Sequence, residues 1–221
     1  HKYLKESESD KKAVIVVTAN RGLAGGYNSN ITRMIIDEGF TKENTVVYAV
    51  GKKGRELLER KGYEIKADYS EAINEPIYKD AKEICDDVLS AFADGEVGEI
   101  YLAYTVFKNT VVHEPQLIRL LPVEADDAAH ETDGSEALMT YEPSEEEALD
   151  MIIPKYVCSL VYGALIESVA SENGARMQAM DSATSNAEEM ISTLSLKYNR
   201  ARQASITQEL TEIIAGANAI E

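Results

Sequence analysis

The stretch "AVIVVTANRGLAGGYNSN", from Ala13 to Asn30, joins an apolar run to a glycine-rich segment and then to a helical pattern. The uninterrupted run Val14–Val17 is typical of a central strand that is covered on both faces. A strand, a glycine loop and a helix in this order begin a βαβ unit. We therefore expect an α/β domain built on a largely parallel sheet.

The chain up to about Val123 continues this alternation of short β-rich runs and helical patterns. The predicted strands are Ala13–Ala19, Asn44–Val50, Glu64–Ala67, Glu99–Phe107 and Gln116–Val123. The predicted helices are Asn30–Gly39, Lys53–Lys61 and Tyr78–Ala93. Apolar residues of the third helix recur at spacings of three and four, so we expect that helix to pack on the sheet.

The glycine segment raises the question of whether the protein binds a nucleotide. Its glycines, Gly22, Gly25 and Gly26, match neither GxGxxG nor GxxxxGK[ST], and no Lys-Ser or Lys-Thr pair follows them. The second predicted strand also lacks a terminal acid to hold a ribose. A phosphate site is therefore disfavoured, although a nucleotide-binding α/β enzyme remains an alternative.

Composition narrows the other functional classes. The 22 basic and 39 acidic residues give a net charge of −17, which disfavours binding to nucleic acid. Cys85 and Cys158 lack metal-ligand spacing, and His113 is expected to be structural, so we predict no catalytic site, no metal and no cofactor. The acidic segment 124–136 is predicted to be a solvated loop, and we expect no membrane-spanning stretch.

The sequence changes character after Pro143. Ser144 and Glu147 form a capping-box pattern, and Pro154 is the one serious helix breaker before Ala219. We expect a short helix, a kink near Pro154, and then one helix about 95 Å long at 1.5 Å per residue. The predicted domains are thus an α/β body over residues 1–143 and a long helix over residues 144–221.

This long helix needs a partner, because an amphipathic helix gains most of its stability from packing. One dense apolar face comprises Val157, Leu160, Val161, Ala164 and Leu165. A thinner stripe follows at Ala183, Ala187, Met190, Leu194, Ala201 and Leu210. Strict heptads are missing, which favours a helix inside a sleeve of other subunits over a homomeric coiled-coil scaffold. The scaffold is kept as a second alternative.

The segment "YNRARQASITQELTEIIAGANAI", Tyr198 to Ile220, resembles the C-terminal segment of the gamma subunit of the rotary F-type ATP synthase. Three further motifs agree with that family in order and spacing: "RGLAGGYN", "YEPSEEEALD" and "ESVASENGARMQAMDSATSNA". The resemblance covers essentially the whole chain. It implies a Rossmann-like α/β domain without a nucleotide site and a coiled-coil helix.

The resemblance also implies a role. Such a subunit is the central-stalk rotor, which couples proton flow through a membrane c-subunit ring to catalysis in a hexamer of alpha and beta subunits. It is a non-catalytic part of a peripheral sector at the cytoplasmic face of the membrane. Family members begin with an N-terminal helix that pairs with the C-terminal one, whereas His1 already stands at the entrance to the first strand. The cysteine-bearing insertion of chloroplast members is not seen, which favours a bacterial type.

Functional residues follow from the same motifs. The resemblance implies that four polar residues meet the catch loops of the catalytic subunits: Arg202, Gln203, Thr207 and Glu209. It implies that four residues form a tip inside a hydrophobic sleeve: Ile213, Ile214, Ala217 and Ile220. Tyr141 and Glu142 match the foot near the ring and the epsilon subunit. Without the resemblance, the polar set is equally compatible with a solvated helix face.

Overall fold

The computed structural model describes residues 3–4, 9–123 and 144–220. Its strands are β1 (Lys12–Val17), β2 (Thr45–Val50), β3 (Glu64–Asp68), β4 (Glu99–Phe107) and β5 (His113–Leu121). Its α-helices are α1 (Tyr27–Asp37), α2 (Lys52–Arg60), α3 (Tyr78–Ala93) and α4 (Glu145–Asn218), and a 3₁₀ helix covers Ser70–Ile73. The predicted α/β class with a long C-terminal helix is confirmed.

The five strands form one sheet in the order β3-β2-β1-β4-β5. Strands β1 to β4 run parallel, and β5 pairs antiparallel with β4. Central β1 is buried throughout the run Val14–Val17, as the sequence predicts for a strand covered on both faces. The edge strand β5 begins at His113, three residues before the predicted start, and includes Pro115. An edge strand tolerates proline because one side of its backbone needs no partner strand.

Helices cover both faces of the sheet because side chains alternate along each strand. Ile15 and Val17 belong to a core that includes α3 and the first part of α4, whereas Val14 and Val16 pack with residues of α1 and α2. The two cysteines, Cys85 of α3 and Cys158 of α4, are both free and buried in the first core. Burial raises the pKa of the Cys85 thiol, which keeps it protonated.

The expected division at Pro154 is wrong, because α4 is continuous from Glu145 to Asn218 with Pro154 inside it. Proline removes one backbone donor from a helix, and the neighbouring residues Ile153 and Val157 are buried in the core. This packing keeps the helix continuous despite the local cost. The N-terminal cap is present in part, since the Glu147 N–H donates to Ser144 Oγ at 3.3 Å.

The composition of α4 also differs from the expectation that the chain holds no apolar stretch of membrane-spanning length. The helix contains an 18-residue window with a mean hydropathy of 1.5, long and apolar enough by composition to cross a membrane. One third of that window is buried inside the protein. Core helices have the same composition, and Val157, Val161 and Leu165 of α4 pack in the core with the sheet. Burial in the core therefore accounts for part of the apolar composition of α4.

The chain divides into two compact units, His1–Gln178 and Ala179–Glu221. The first contains the sheet, its covering helices and α4 up to Gln178. The second contains the remainder of α4. The predicted domains of 1–143 and 144–221 separate the sheet from the whole helix, and that division stays a prediction.

Candidate functional site: an exposed helical surface

The crevice in which parallel α/β sheets bind nucleotides is filled by protein. It lies beyond the carboxyl ends of neighbouring strands whose crossovers run in opposite directions, here β1 and β4. Ala24 and Tyr27 of the glycine segment are buried there with Ala19, and Ala175 of α4 packs against them. The Tyr27 hydroxyl donates to the Ser168 carbonyl oxygen of α4 at 3.0 Å. Helix α4 thus takes the place of a ligand.

The N-terminus of α2, a second possible phosphate site, is also occupied. The Lys52 N–H donates to Asn20 Oδ1 at 2.9 Å, and the Lys53 N–H donates to the Ala19 carbonyl at 3.0 Å. The Gly54 N–H donates to Thr18 Oγ1 at 2.9 Å. A side chain at Gly54 would collide with Thr18, because a Cβ there would lie 2.5 Å from Thr18 Oγ1. These donors bind the three residues that follow β1, so they are not aimed at a phosphate.

The second unit has the opposite character, because every residue from Asp181 to Ile220 is exposed. Its exposed large apolar residues are Met190, Ile191, Leu194, Leu196, Tyr198, Ile206, Leu210, Ile213, Ile214 and Ile220. A long run of exposed apolar side chains marks an interaction surface. We call residues Asp181–Ile220 the distal segment.

The four predicted polar contact residues lie on this segment. Arg202, Gln203, Thr207 and Glu209 are all exposed, and all belong to the continuous helix. Thr207 Oγ1 donates to the Gln203 carbonyl oxygen at 2.8 Å, so these two residues stack on one side of the helix. Within the described part of the chain, neither Arg202 nor Glu209 forms an ion pair, which leaves both charges for a partner.

The predicted apolar tip is exposed as well. Ile213 is 67% exposed and Ile220 is 89% exposed, while Ile214 and Ala217 lie between them on the exposed surface. Isoleucine side chains at this exposure are stabilised by burial against a partner, at about 25 cal/mol per Å² of apolar surface. The predicted foot residues Tyr141 and Glu142 lie outside the described residues, as does the acidic segment 124–136.

Sequence reasoning missed a buried polar cluster on the first unit. Ser168 and Ser171 of α4 are fully buried beside Tyr27 and Thr105. The available signal was their spacing, because Ser168 and Ser171 continue the apolar face of α4 at a helical period. His113, which was expected to be structural, contacts α4: a Cβ at Gly174 would lie 2.5 Å from His113 Nε2.

Comparison with known proteins gives one family. The family model described as ATP synthase matches residues 1–220. A curated ATP synthase gamma chain from Lachnoclostridium phytofermentans is 66% identical over 226 residues, covering 100% of this chain and 78% of that protein. The sodium ion specific ATP synthase gamma chain of Acetobacterium woodii is 42% identical, covering 99% of this chain and 78% of that protein.

Solved structures share the fold. A chain of the Euglena gracilis mitochondrial ATP synthase has a TM-score of 0.71 at 20% identity and covers 99% of this chain and 78% of its own length. A chain of the Tetrahymena thermophila mitochondrial ATP synthase central stalk and c-ring has a TM-score of 0.61 at 24% identity and covers 83% of each chain. The body and its long helix are therefore an architecture that occurs in known ATP synthases.

Proposed function

The chain belongs to the ATP synthase gamma chain family, and we propose that it is the central-stalk rotor subunit of a bacterial, proton-translocating F-type ATP synthase. The observation that carries the proposal is 66% identity to a gamma chain along the whole sequence. The exposed distal segment supports it, since a helix with this many exposed apolar residues requires partners. Catalysis takes place in the partner subunits. This chain presents a different face to each catalytic subunit and so favours a different conformation in each.

The rotor acts by differential binding. A shaft drives a catalytic site between conformations only when it binds those conformations with different free energies. The contacts that differ between these conformations are made with the catch loops of the beta subunits. On this chain they involve Arg202, Gln203, Thr207 and Glu209. Arg202 suits this role because a guanidinium makes two parallel hydrogen bonds to a carboxylate, whereas a lysine ammonium does not.

The remaining contacts assign each partner a part of the chain. The tip, formed by Ile213, Ile214, Ala217 and Ile220, sits in the apolar sleeve of the alpha and beta subunits. The apolar stripe of the distal segment packs against the N-terminal helix of the gamma subunit. Tyr141 and Glu142 form the foot against the epsilon subunit and the c-subunit ring, at the cytoplasmic face of the cell membrane.

A co-purification experiment tests the function. The complete gene is expressed in its host with an affinity tag near Asp133, which leaves both ends of α4 without added residues. We expect the membrane fraction to yield two abundant larger subunits of similar size with ATPase activity. Recovery of the chain alone, without ATPase, would overturn the proposal. In that case saturable ATP or NAD binding would indicate an enzyme, and a homodimer through α4 would indicate a scaffold.

The coupling ion needs its own measurement, because the 42% identical relative from Acetobacterium woodii is named as sodium ion specific. ATP synthesis driven by an imposed ion gradient is measured in inverted membrane vesicles. The measurement is repeated after addition of a protonophore and, separately, after addition of a sodium ionophore. We expect the protonophore to abolish synthesis and the sodium ionophore to leave it intact. The reverse pattern would assign sodium to this enzyme.

A further inference from the structure

The face of α4 that packs on the sheet changes chemistry at Ser168. Val161 and Leu165 precede it, and both are fully buried apolar residues of the core. Ser168, Ser171 and Gly174 follow on the same face, and the two serines are also fully buried. Apolar packing resists separation but has no direction, whereas hydrogen bonds fix orientation. The second part of this face is therefore able to hold the helix at one rotation about its axis.

Three hydrogen bonds join α4 to its neighbours at this contact. We call the four residues that form them the hydroxyl seam: Tyr27, Thr105, Ser168 and Ser171. Tyr27 donates to the Ser168 carbonyl at 3.0 Å, and Ser171 Oγ donates to the Thr105 carbonyl at 3.1 Å. The Thr105 N–H donates to Ser168 Oγ at 3.5 Å. Burial raises the pKa of the Tyr27 phenol, so it remains a protonated donor. The seam joins α4 to both α1 and β4.

The seam lies where β4 has passed the end of its pairing with β1. Thr105 lies two residues beyond Ala103, the last residue of β4 that pairs with β1. On its other side Thr105 is opposite Pro115 of β5, which has no N–H to donate. Ser168 and Ser171 bond the Thr105 backbone there. Helix α4 is thus attached directly to the main chain of a central strand.

A steric contact accompanies the seam one turn further along α4. A Cβ at Gly174 would lie 2.5 Å from His113 Nε2 and 3.3 Å from His113 Cε1. The imidazole of β5 therefore rests against the backbone of α4 and blocks rotation of any larger residue past it. Gly174 is four residues before Gln178, where the first unit ends.

We propose that the hydroxyl seam and the Gly174–His113 contact are positioning elements that transmit torque between the sheet and α4. This inference rests on the proposed rotor function. Torque about the helix axis loads the contacts that resist turning, and the directional bonds of the seam hold one orientation more strictly than the apolar packing upstream. Loss of the seam lets α4 yield under load while the apolar core still holds it on the body.

The test uses the whole ATP synthase in inverted membrane vesicles, with the complete gene carrying Tyr27→Phe and Ser171→Ala together. ATP hydrolysis without a gradient and ATP synthesis under an imposed gradient are measured on the same preparation. We expect hydrolysis within twofold of the parent enzyme and a synthesis-to-hydrolysis ratio at least threefold lower. Val161→Ala is the matched control, because it weakens buried apolar packing on the same face and should leave the ratio unchanged.

An unchanged ratio in the double variant, or an equal fall in Val161→Ala, overturns the inference. If the double variant does not assemble, Tyr27→Phe alone keeps the ring in place and should lower the ratio about twofold; no fall there overturns it equally. Co-purification of the unmodified chain with active partner subunits is established first. Its failure removes the proposed function and this inference together, whereas failure of the ratio test removes only the inference.

Two single variants at the steric contact sharpen the result. Gly174→Ala should lower the same ratio, because the new Cβ forces α4 and His113 apart. His113→Ala removes the ring from the contact and should lower the ratio as well. An unchanged ratio in either variant counts against a positional role for this contact.

Discussion

The part of α4 in the first unit and the distal segment are made of similar residues in opposite surroundings. Leu165, in the first part, is fully buried against the sheet, whereas Leu194, in the second, is 63% exposed. Both are leucines on one continuous helix. The difference teaches that the apolar residues of α4 lie in two environments: one stretch packs in the core of the first unit, and the other is exposed, as the proposed rotor function requires.

The same contrast extends to polar groups. Ser171 of the first part donates its hydroxyl across to a strand, whereas Thr207 of the distal segment donates to its own helix at the Gln203 carbonyl. The first bond attaches α4 to the body, and the second leaves the side of the helix open. Substitutions in the apolar core of the first part should therefore act mainly on folding, whereas substitutions in the distal segment should act on the activity of the assembled enzyme.

The largest expected effect is on folding. Leu165→Ala should lower the free energy of unfolding of the chain by about 2–5 kcal/mol, because it leaves a cavity in the core. Leu194→Ala, the matched control, should change the free energy of unfolding of the 221-residue chain by no more than about 0.5 kcal/mol, because Leu194 is exposed in that chain. Denaturant titration of both variants measures this. Equal losses would break the comparison between the two stretches.

An intermediate effect is expected on coupled catalysis. Arg202→Ala with Gln203→Ala should lower ATP turnover and ATP synthesis of the assembled enzyme about tenfold, equivalent to about 1.4 kcal/mol. The free energy of unfolding should stay unchanged, because both residues are exposed. Arg200→Ala is the control for loss of one nearby positive charge and should retain activity. Unchanged turnover and synthesis in the double variant would remove both residues from the proposed contact.

The smallest effect concerns pH and belongs to the body. Glu99 forms an ion pair with Lys12, in which Glu99 Oε2 lies 2.8 Å from Lys12 Nζ. Burial raises the pKa of Glu99, but the hydrogen bond and charge of Lys12, with help from Tyr101 and Arg119, lower it further, and the net pKa lies below its usual value. The hydrogen bond to Glu99 raises the pKa of Lys12.

A carboxyl group whose pKa is lower in the folded than in the unfolded state stabilises the fold at pH values above its unfolded-state pKa. That stability is lost as the pH falls through the folded-state pKa. For Lys12 the sign is opposite, so its contribution is lost as pH rises through its raised pKa. Because the pair is partly exposed, we expect only about 0.2–1 kcal/mol. Glu99→Gln should flatten the acid side of the stability profile, and Glu189→Gln in the distal segment should not. If Glu99→Gln and the parent chain had identical profiles of stability against pH, the proposed contribution of the Lys12–Glu99 pair would be contradicted.

Sequence patterns predicted most of the elements because the signals are local. The bounds of α3 and β4 agree with the prediction, since α3 has a clear helical period and β4 is rich in β-branched and aromatic residues. Pro154 misled the prediction, because the rule against proline in helices takes no account of core packing around it. The proposed contact residues Arg202 and Gln203 came from a family motif, and both are exposed, as a binding role requires.

The sequence by itself determined the α/β class, the family and the presence of a long helix that carries more apolar residues than the described residues bury. Each of these depends on periodicity or on motifs within a few tens of residues. Only the tertiary structure decided that α4 fills the crevice beside the glycine segment. Tyr27 and Ser168 are 141 positions apart, and Ser171 and Thr105 are 66 apart. No local pattern specifies such pairs, because a hydroxyl acquires its partner only when the folded sheet and helix bring the two together.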